Sequence, residues 1–241
     1  MKTPVAQLLR PFLAPLLFAL SATGFASHAA AQTLGALYDP QPPADSAYVR
    51  VIVVNAEGPM DVQLDGKPRL QGLTAATASD YMVLKAGQHQ LRVQGSGKSG
   101  SAEIPLEIIA GRSVTVALPS LGADSKPLFF ADKANTNKLK AVLTVYHLAP
   151  KAGVIDTLTA DGNTKVFSGV APGTSASLAV NPISIELQAS KAGEKTALAK
   201  VPLTMAQGLT YSLLVLPGAP GDGDKLVMKS SANALERYTG K

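Results

Sequence analysis

The chain has 241 residues, no cysteine, no tryptophan and a formal net charge of +5. The absence of cysteine excludes disulfide bonds as a source of stability. Lysines and arginines are scattered, without a basic stripe interleaved with aromatic residues, so nothing in the composition indicates nucleic-acid binding.

Residues 1–31 have the pattern of a secretory signal peptide. Lys2 and Arg10 form a basic start, an apolar stretch follows, and the three alanines at 29–31 fit a small-residue cleavage site. Two prolines interrupt the apolar stretch, which is too weak for a spanning helix of about 20 residues. We expect cleavage after Ala31 and a mature chain in a bacterial periplasm. The alternative is an uncleaved membrane anchor.

After residue 47 the sequence repeats one pattern of strands and turns at an offset of 96 to 98 residues. Each copy opens with an apolar strand and passes an Asp-Gly turn, at Asp65 and at Asp161. Each closes with a strand that ends in proline, at Pro119 and at Pro217. A pattern that recurs at a fixed offset indicates a duplicated structural unit.

Apolar and polar residues alternate in several windows, which is typical of β-strands with one buried face. The clearest are 88–94, 102–109 and 181–188, and turn residues recur about every ten positions, as in β-sandwiches. We therefore predict an all-β fold of two tandem antiparallel β-sandwich domains joined by a short linker, with about seven strands in each domain. Pro105 and Pro202 interrupt strand-like runs and predict edge or bulged strands.

The same patterns set the predicted domain boundaries. The N-terminal domain covers 32–120, including an extended segment at 32–47. A linker covers 121–138, the C-terminal domain 139–230 and a flexible tail 231–241. Phe129 and Phe130 are predicted to pin the linker against one domain, because adjacent exposed phenylalanines would be a liability on a monomer. The alternative is a contact with a partner.

No pattern indicates a catalytic, cofactor or metal site. The mature chain keeps two histidines, His89 and His147, interpreted as solvated or edge-strand residues because no serine or carboxylate stands at an informative spacing. The string GSGKSGS lacks the first glycine of a phosphate loop and joins two strands. The loop at 221–224 offers too few carboxylates for calcium.

The segment before the first strand is a candidate docking surface for a partner. Arg50 joins it, because it shares a strand face with Ile52 and Val54 that should be dry. Its side chain would either lie at an edge and pack its aliphatic part on apolar neighbours, or donate from its guanidinium group to a carboxylate. Alternatively, the segment merely plugs the open end of the first sandwich. The segment consists of Leu37, Tyr38, Asp39 and Pro40.

The ordered set of short motifs resembles one known family. The first domain has ALYDP at 36–40, YVR at 48–50 and NA at 55–56, and the second has ADG at 160–162 and NP at 181–182. This order is similar to that of the AlgF family of periplasmic alginate O-acetylation accessory proteins. In this chain the first strand is extended by two valines, so its NA falls later than in the family.

The resemblance implies a non-catalytic periplasmic adaptor required for O-acetylation of an exopolysaccharide, either alginate or an alginate- or cellulose-like polymer. Its implied partners are periplasmic acetyltransferases and a membrane acyl-transfer protein, and the polymer itself is a further candidate. Two other functions stay open from the residues: a polysaccharide-binding module of the cell envelope, and an acetyltransferase or esterase. Carbohydrate platforms usually offer exposed aromatic rings, and the lack of tryptophan counts against the first of these.

Overall fold

The computed structural model describes residues 42–97, 100–122, 124–219 and 225–236. These residues form 16 strands and contain no helix. Accordingly, none of the described segments is a helix that could cross a membrane. The first module contains β1 (Ser46–Asn55), β2 (Met60–Leu64), β3 (Lys67–Leu73), β4 (Met82–Lys85), β5 (Gly87–Gly95), β6 (Ser101–Ile108), β7 (Ser113–Ser120) and β8 (Leu128–Ala131). The second contains β9 (Ala141–His147), β10 (Ile155–Thr159), β11 (Lys165–Val170), β12 (Ser175–Val180), β13 (Ile183–Lys191), β14 (Ala199–Met205), β15 (Thr210–Pro217) and β16 (Leu226–Ala232).

Each module is a pair of four-stranded sheets. The first module has the orders β4-β1-β7-β8 and β3-β2-β5-β6, and the second has β12-β9-β15-β16 and β11-β10-β13-β14. The two modules therefore have the same topology, with β1–β8 of the first corresponding in order to β9–β16 of the second. The predicted all-β fold of two sandwiches is confirmed, and so is the duplication. Pro105 and Pro202 lie in β6 and β14, which are edge strands as predicted.

One feature of the sheets differs from the purely antiparallel prediction. β1 pairs with β7 in parallel, and β9 pairs with β15 in parallel, at the centre of one sheet in each module. Parallel strands are usually covered on both faces, and β1 and β9 are buried along nearly their whole length. Their sequences, YVRVIVV and AVLTVYH, are accordingly almost continuously apolar rather than alternating.

Three apolar clusters hold the molecule together, and the described residues belong to a single compact unit. Two clusters fill the sandwiches, and aliphatic residues such as Val51 and Leu213 lie at their centres. The third lies between the two modules. It consists of Ile52, Val54, Ala117, Phe130, Tyr146, Leu148, Leu214 and Leu216.

The segment predicted as a linker contains a strand. β8 pairs antiparallel with β7 and completes a sheet of the first module, so the prediction of 121–138 as a simple linker is corrected. Phe130 is buried and its ring packs edge-to-face on Tyr146, with ring centroids 5.3 Å apart. The predicted pinning is confirmed for Phe130. Phe129 points the other way and is 54% exposed, because successive side chains of a strand face opposite sides.

The predicted flexible tail, 231–241, is wrong for residues 231–236. β16 continues to Ala232, and the chain then crosses to the first module beside Tyr81. The Tyr81 N–H donates to the Ala234 carbonyl, and the Glu236 N–H donates to the Tyr81 carbonyl, each at 2.8 Å. The Glu236 carboxylate also pairs with Arg69. We refer to residues 233–236 as the C-terminal strap; residues 237–241 lie outside the described residues.

Candidate functional site between the two modules

The two modules meet face to face through the sheets that contain β1 and β9. Side chains alternate along β1, so Val51 and Val53 point into the core of their own sandwich. Arg50 and Ile52 point to the opposite face, where residues of the second module cover them. The interface is polar around Arg50 and becomes apolar toward the ends of the strands.

Arg50 lies at the centre of the polar part and is only 1% exposed. Its Nε donates to the Thr115 hydroxyl at 2.8 Å, within the first module. Its Nη2 donates to the hydroxyls of Tyr146 and Ser212, both at 2.8 Å, and its Nη1 donates to Asn233 Oδ1 at 2.7 Å. Three of its four acceptors therefore belong to the second module or to the strap, and the side chain links the two modules.

The charge of Arg50 is balanced through hydroxyl groups rather than by a direct ion pair. Thr115, which accepts from Arg50, donates to Asp132 Oδ2 at 2.5 Å. Tyr146, which also accepts from Arg50, donates to Asp132 Oδ1 at 2.6 Å. The Tyr81 hydroxyl adds a third hydrogen bond to this carboxylate, at 2.7 Å. A buried charge is tolerated when hydrogen bonds of this kind satisfy it.

Two aromatic rings enclose the guanidinium. The Arg50 Cζ lies 4.5 Å from the centroid of the Tyr81 ring and 5.3 Å from that of Tyr146, which are cation–π distances. Burial raises the pKa of both phenols well above their ordinary value. Burial alone would lower the pKa of Arg50, but Tyr146, Tyr81 and Asp132 outweigh it and hold that pKa above its usual value. The cation and the neutral phenols therefore persist across the physiological pH range.

The site is built from equivalent positions of the two modules. Asp132 follows β8 and donates its backbone N–H to Ser113, while Asn233 follows β16 and donates its N–H to Thr210. Each side chain accepts a hydroxyl from the adjacent strand: Asp132 from Thr115, and Asn233 from Ser212 at 2.7 Å.

The copies have diverged at the charged positions. In the first module Arg50 of β1 pairs with Thr115 of β7. In the second module the equivalent pair is Thr144 of β9 with Ser212 of β15, so a threonine stands at the position of Arg50. The first module therefore contributes both charged residues of the site, Arg50 and Asp132, and the second module has the uncharged Thr144 and Asn233 at the equivalent positions.

These contacts change the interpretation of the predicted docking residues. Arg50 belongs to the interior and not to an exposed docking surface, because its face of β1 is covered by the second module. Its guanidinium group donates to three hydroxyls and a side-chain amide rather than to a carboxylate. The other four predicted residues, Leu37, Tyr38, Asp39 and Pro40, lie outside the described residues.

Sequence reasoning missed the partners of Arg50. Asp132 and Asn233 are 101 residues apart and fall outside the offset of 96 to 98 that revealed the duplication. A signal did exist, since each directly follows a strand-like run that ends in alanine, at Ala131 and at Ala232. The missed residues are Tyr81, Thr115, Asp132, Tyr146, Ser212 and Asn233.

At the polar end the interface opens into a small pocket. Its volume is about 40 Å³, and Tyr48, Tyr81, Asp132 and Asn233 are among its lining residues. A water molecule occupies about 30 Å³ in the liquid, so this pocket has room for a solvent molecule but not for a sugar ring.

The opposite end opens into a larger apolar cleft, which we call the interdomain cleft. It consists of two neighbouring cavities of about 540 and 310 Å³ that share Val54, Pro119, Leu148 and Pro150 as lining residues. The cleft lies where β1, β7, β9 and β15 all end. Volumes of this size are typical of sites that receive a ligand or an anchoring side chain.

The prediction of solvated or edge-strand histidines is wrong for His147, whereas His89 is partly exposed but does not lie on an edge strand. Both lie on strands that have neighbours on two sides, β5 and β9, and His147 is fully buried. His89 contacts Asp65 Oδ2 through Nδ1 at 2.7 Å and the Lys85 carbonyl through Nε2 at 2.8 Å. The hydrogen bond to Asp65 raises the pKa of His89, against the smaller opposing effect of its burial.

The second histidine has a structural environment. His147 Nε2 donates to the Gly153 carbonyl at 2.8 Å, and its Nδ1 accepts the Ala149 N–H at 3.4 Å. Burial lowers the pKa of His147, so the ring is neutral. Both nitrogens of each histidine are thus engaged, and the described part of the chain contains no cluster of three residues that could hold a metal ion.

Comparisons of this chain with family profiles, known sequences and solved structures all point to the same family. A family profile described as "Alginate O-acetyl transferase AlgF" matches residues 18–212. "Alginate biosynthesis protein AlgF" of Pseudomonas aeruginosa is 30% identical over 204 residues, which cover 84% of this chain and 86% of that protein. The protein of the same name from Pseudomonas syringae pv. tomato is 26% identical over 173 residues, covering 72% of each chain. A solved structure of the C-terminal domain of AlgF from P. aeruginosa shares 28% identity, with a TM-score of 0.33, and covers 40% of this chain and 100% of that one.

Proposed function

Because the chain belongs to the AlgF family of alginate biosynthesis proteins, we propose that it is a non-catalytic periplasmic adaptor required for O-acetylation of an exopolysaccharide. It bridges periplasmic acetyltransferases and a membrane acyl-transfer protein, and the polymer is alginate or a related chain. The observation that carries this proposal is the family match, which extends over most of the sequence and reaches into both modules.

The chemistry of the described residues supports a non-catalytic role. Acyl transfer through a serine or threonine needs a base within hydrogen-bond reach of the nucleophile. The ring nitrogens of His89 are held by Asp65 and a backbone carbonyl, and those of His147 are buried against backbone groups. Neither ring offers a nitrogen to a hydroxyl nucleophile in this arrangement.

The architecture suits a bridging role. The two sandwiches are joined by a buried polar network, an apolar cluster and the C-terminal strap. An adaptor that presents two binding surfaces in a fixed relation spares its partners part of the entropic cost of being brought together. Export to the periplasm is supported by the signal-peptide pattern of residues 1–31.

The surface gives less support to a polysaccharide-binding module. The tyrosines of the described residues are all buried: Tyr48, Tyr81, Tyr146 and Tyr211. Phe129 is the one aromatic residue among the exposed large apolar residues of the described chain. A platform for sugar rings needs accessible aromatic faces, and the described residues do not assemble one.

The test is complementation of a strain that lacks the gene, with the acetyl-ester content of its polymer as the measurement. We expect the wild-type chain and His89→Gln to restore acetylation to the same level. Purified chain supplied with an acetyl donor should transfer no acetyl group by itself. Loss of acetylation with His89→Gln at normal protein level, together with transfer by the purified wild-type chain, would establish an enzyme instead.

A further inference from the structure

We infer that the interdomain cleft is the docking site for a partner protein of the acetylation system, and that it receives an apolar anchor side chain flanked by carboxylates. The inference deepens the proposed function and rests on it. The cleft is formed jointly by both modules, since Val54 and Pro119 come from the first and Leu148 and Pro217 from the second. It therefore exists only while the two sandwiches are held together.

The floor and walls of the cleft favour an apolar occupant. Four of its lining residues are prolines, which have no backbone N–H to donate. They are Pro119, Pro150, Pro172 and Pro217. Most of the remaining lining is aliphatic or small, with Val54 and Leu148 at the junction of the two cavities, while Asn55 lines one cavity and His147 the other. A sugar ring enters a protein site through many hydrogen bonds and aromatic stacking, and this lining supplies few of the first and none of the second.

The rim of the cleft favours negative charge beside that apolar anchor. Lys126 lines one cavity and Lys151 the other, both are exposed, and neither forms an ion pair with another described residue. Among the described residues, no acidic side chain lines either cavity. Lys225 also lines the larger cavity. Because Asp222 and Asp224, which lie outside the described residues, precede it in the sequence, we assign the cationic rim to Lys126 and Lys151 alone.

These properties identify the chemistry of the partner. A buried apolar anchor surrounded by a charged, solvated rim is the usual organisation of a protein–protein contact, in which the anchor gives most of the affinity and the charges guide association. A polyuronate would satisfy the two lysines but would place its hydroxyl groups against prolines and aliphatic side chains. Unsatisfied polar groups of this kind disfavour binding. The partner segment is therefore protein, with one large apolar residue and adjacent aspartate or glutamate.

The experiment measures affinity between the purified mature chain and each purified acetyltransferase component of the same system. The first variant, Lys126→Glu with Lys151→Glu, reverses the rim, and the second, Ala219→Trp, narrows the cleft. Lys133→Glu with Lys191→Glu makes the same change in net charge at exposed positions away from the cleft and serves as the control. Melting temperatures of all variants are compared with that of the wild type.

We expect one component to bind the wild type and the control equally, and the rim variant about tenfold or more weakly. The wild-type affinity should fall as salt increases, more steeply than that of the rim variant. Equal binding of all variants would overturn the cleft as the docking site and leave the adaptor function intact. Displacement of the component by an oligouronate, with weaker oligouronate binding in the rim variant, would overturn the protein occupant in favour of the polymer. Failure of every component to bind the wild type would overturn the proposed function itself.

Discussion

At the scale of single residues, Arg50 shows how one buried charge joins two modules. Its four hydrogen bonds span both sandwiches and the strap, and two hydroxyls connect it to Asp132. A buried ionic group is costly to create but also costly to break, because its partners remain desolvated. Such a group favours the arrangement of the modules in which its partners are all in place.

Replacement of this side chain tests that role. We expect Arg50→Ala to lower the free energy of unfolding by about 3–5 kcal/mol, because it removes four buried hydrogen bonds and leaves the Asp132 carboxylate without the cation that balances its charge. Urea denaturation of the mature chain provides the measurement. Arg92→Ala is the control, because Arg92 is partly exposed and contacts Glu103 only at 3.7 Å, and a loss of about 0–1 kcal/mol is expected there. Similar losses for both variants would show that Arg50 does not join the modules.

A second buried charge, Asp156, stabilises the second module internally. Its Oδ1 accepts the Gly169 N–H at 2.7 Å, and its Oδ2 accepts the Gly193 N–H at 2.9 Å and the Lys165 ammonium at 2.6 Å. Burial opposes ionisation of this carboxyl, but the three donors outweigh it and lower its pKa from 3.8 to about 2.

The lowered pKa predicts a pH dependence. A carboxyl whose pKa falls on folding adds stability above its unfolded value of 3.8, and that stability is lost as pH falls toward about 2. We expect Asp156→Asn to cost about 2 kcal/mol at pH 7 and almost nothing near pH 2, measured by denaturant unfolding at each pH. Asp61→Asn, at the equivalent position, should cost less because Asp61 is exposed and accepts one 3.1 Å bond from Gly72. A cost for Asp156→Asn that is constant with pH would contradict this assignment.

At the scale of elements, both modules repeat a bulged hairpin. The β2–β3 and β10–β11 ladders each contain register shifts, and Gly72 and Gly169 lie there with φ of 70° and 65°. A side chain at such φ is strained even where space is open, as it is at both glycines. Each glycine donates its N–H to an aspartate of the adjacent strand, Asp61 or Asp156.

These glycines allow a direct test of the bulge. We expect Gly169→Ala to lower the free energy of unfolding by about 1–2 kcal/mol, because alanine disfavours positive φ. Gly169→Asn should cost less, since asparagine tolerates this region of backbone space better than alanine does. Thermal unfolding of the two variants is the measurement. A stable alanine variant, or an asparagine variant as unstable as alanine, would exclude backbone strain as the reason for glycine.

The sequence predicted those features that depend on the alternation of residues within a single strand. Alternation at 88–94 and 181–188, together with the repeated pattern, was sufficient to predict two sandwiches, and the internal prolines Pro105 and Pro202 were sufficient to predict their edge strands. The parallel pairs were not predicted, because continuous burial of β1 and β9 depends on a second sheet that packs on the outer face. The partners of Arg50 were not predicted either, because they lie 65 to 183 residues away along the chain.

At the scale of the whole molecule, the interface divides into a polar half that fixes the modules and an apolar half that opens into the interdomain cleft, where we propose that a partner docks. The Arg50 network and the strap hold one end, and the interdomain cleft forms at the other. Loosening of the polar half should therefore disturb the cleft as well. Arg50→Ala is expected to weaken partner binding even under conditions where both sandwiches stay folded.

Our central proposal is that the chain binds the acetylation machinery without performing the chemistry. The most direct measurement is intact mass spectrometry of the purified mature chain after incubation with an acetyl donor and a purified acetyltransferase component, alongside its binding to that component. We predict a stable complex in which the chain carries no covalent acetyl group. An acetyl adduct on a residue of this chain, formed in the donor's presence and lost when the polymer is added, would contradict the account.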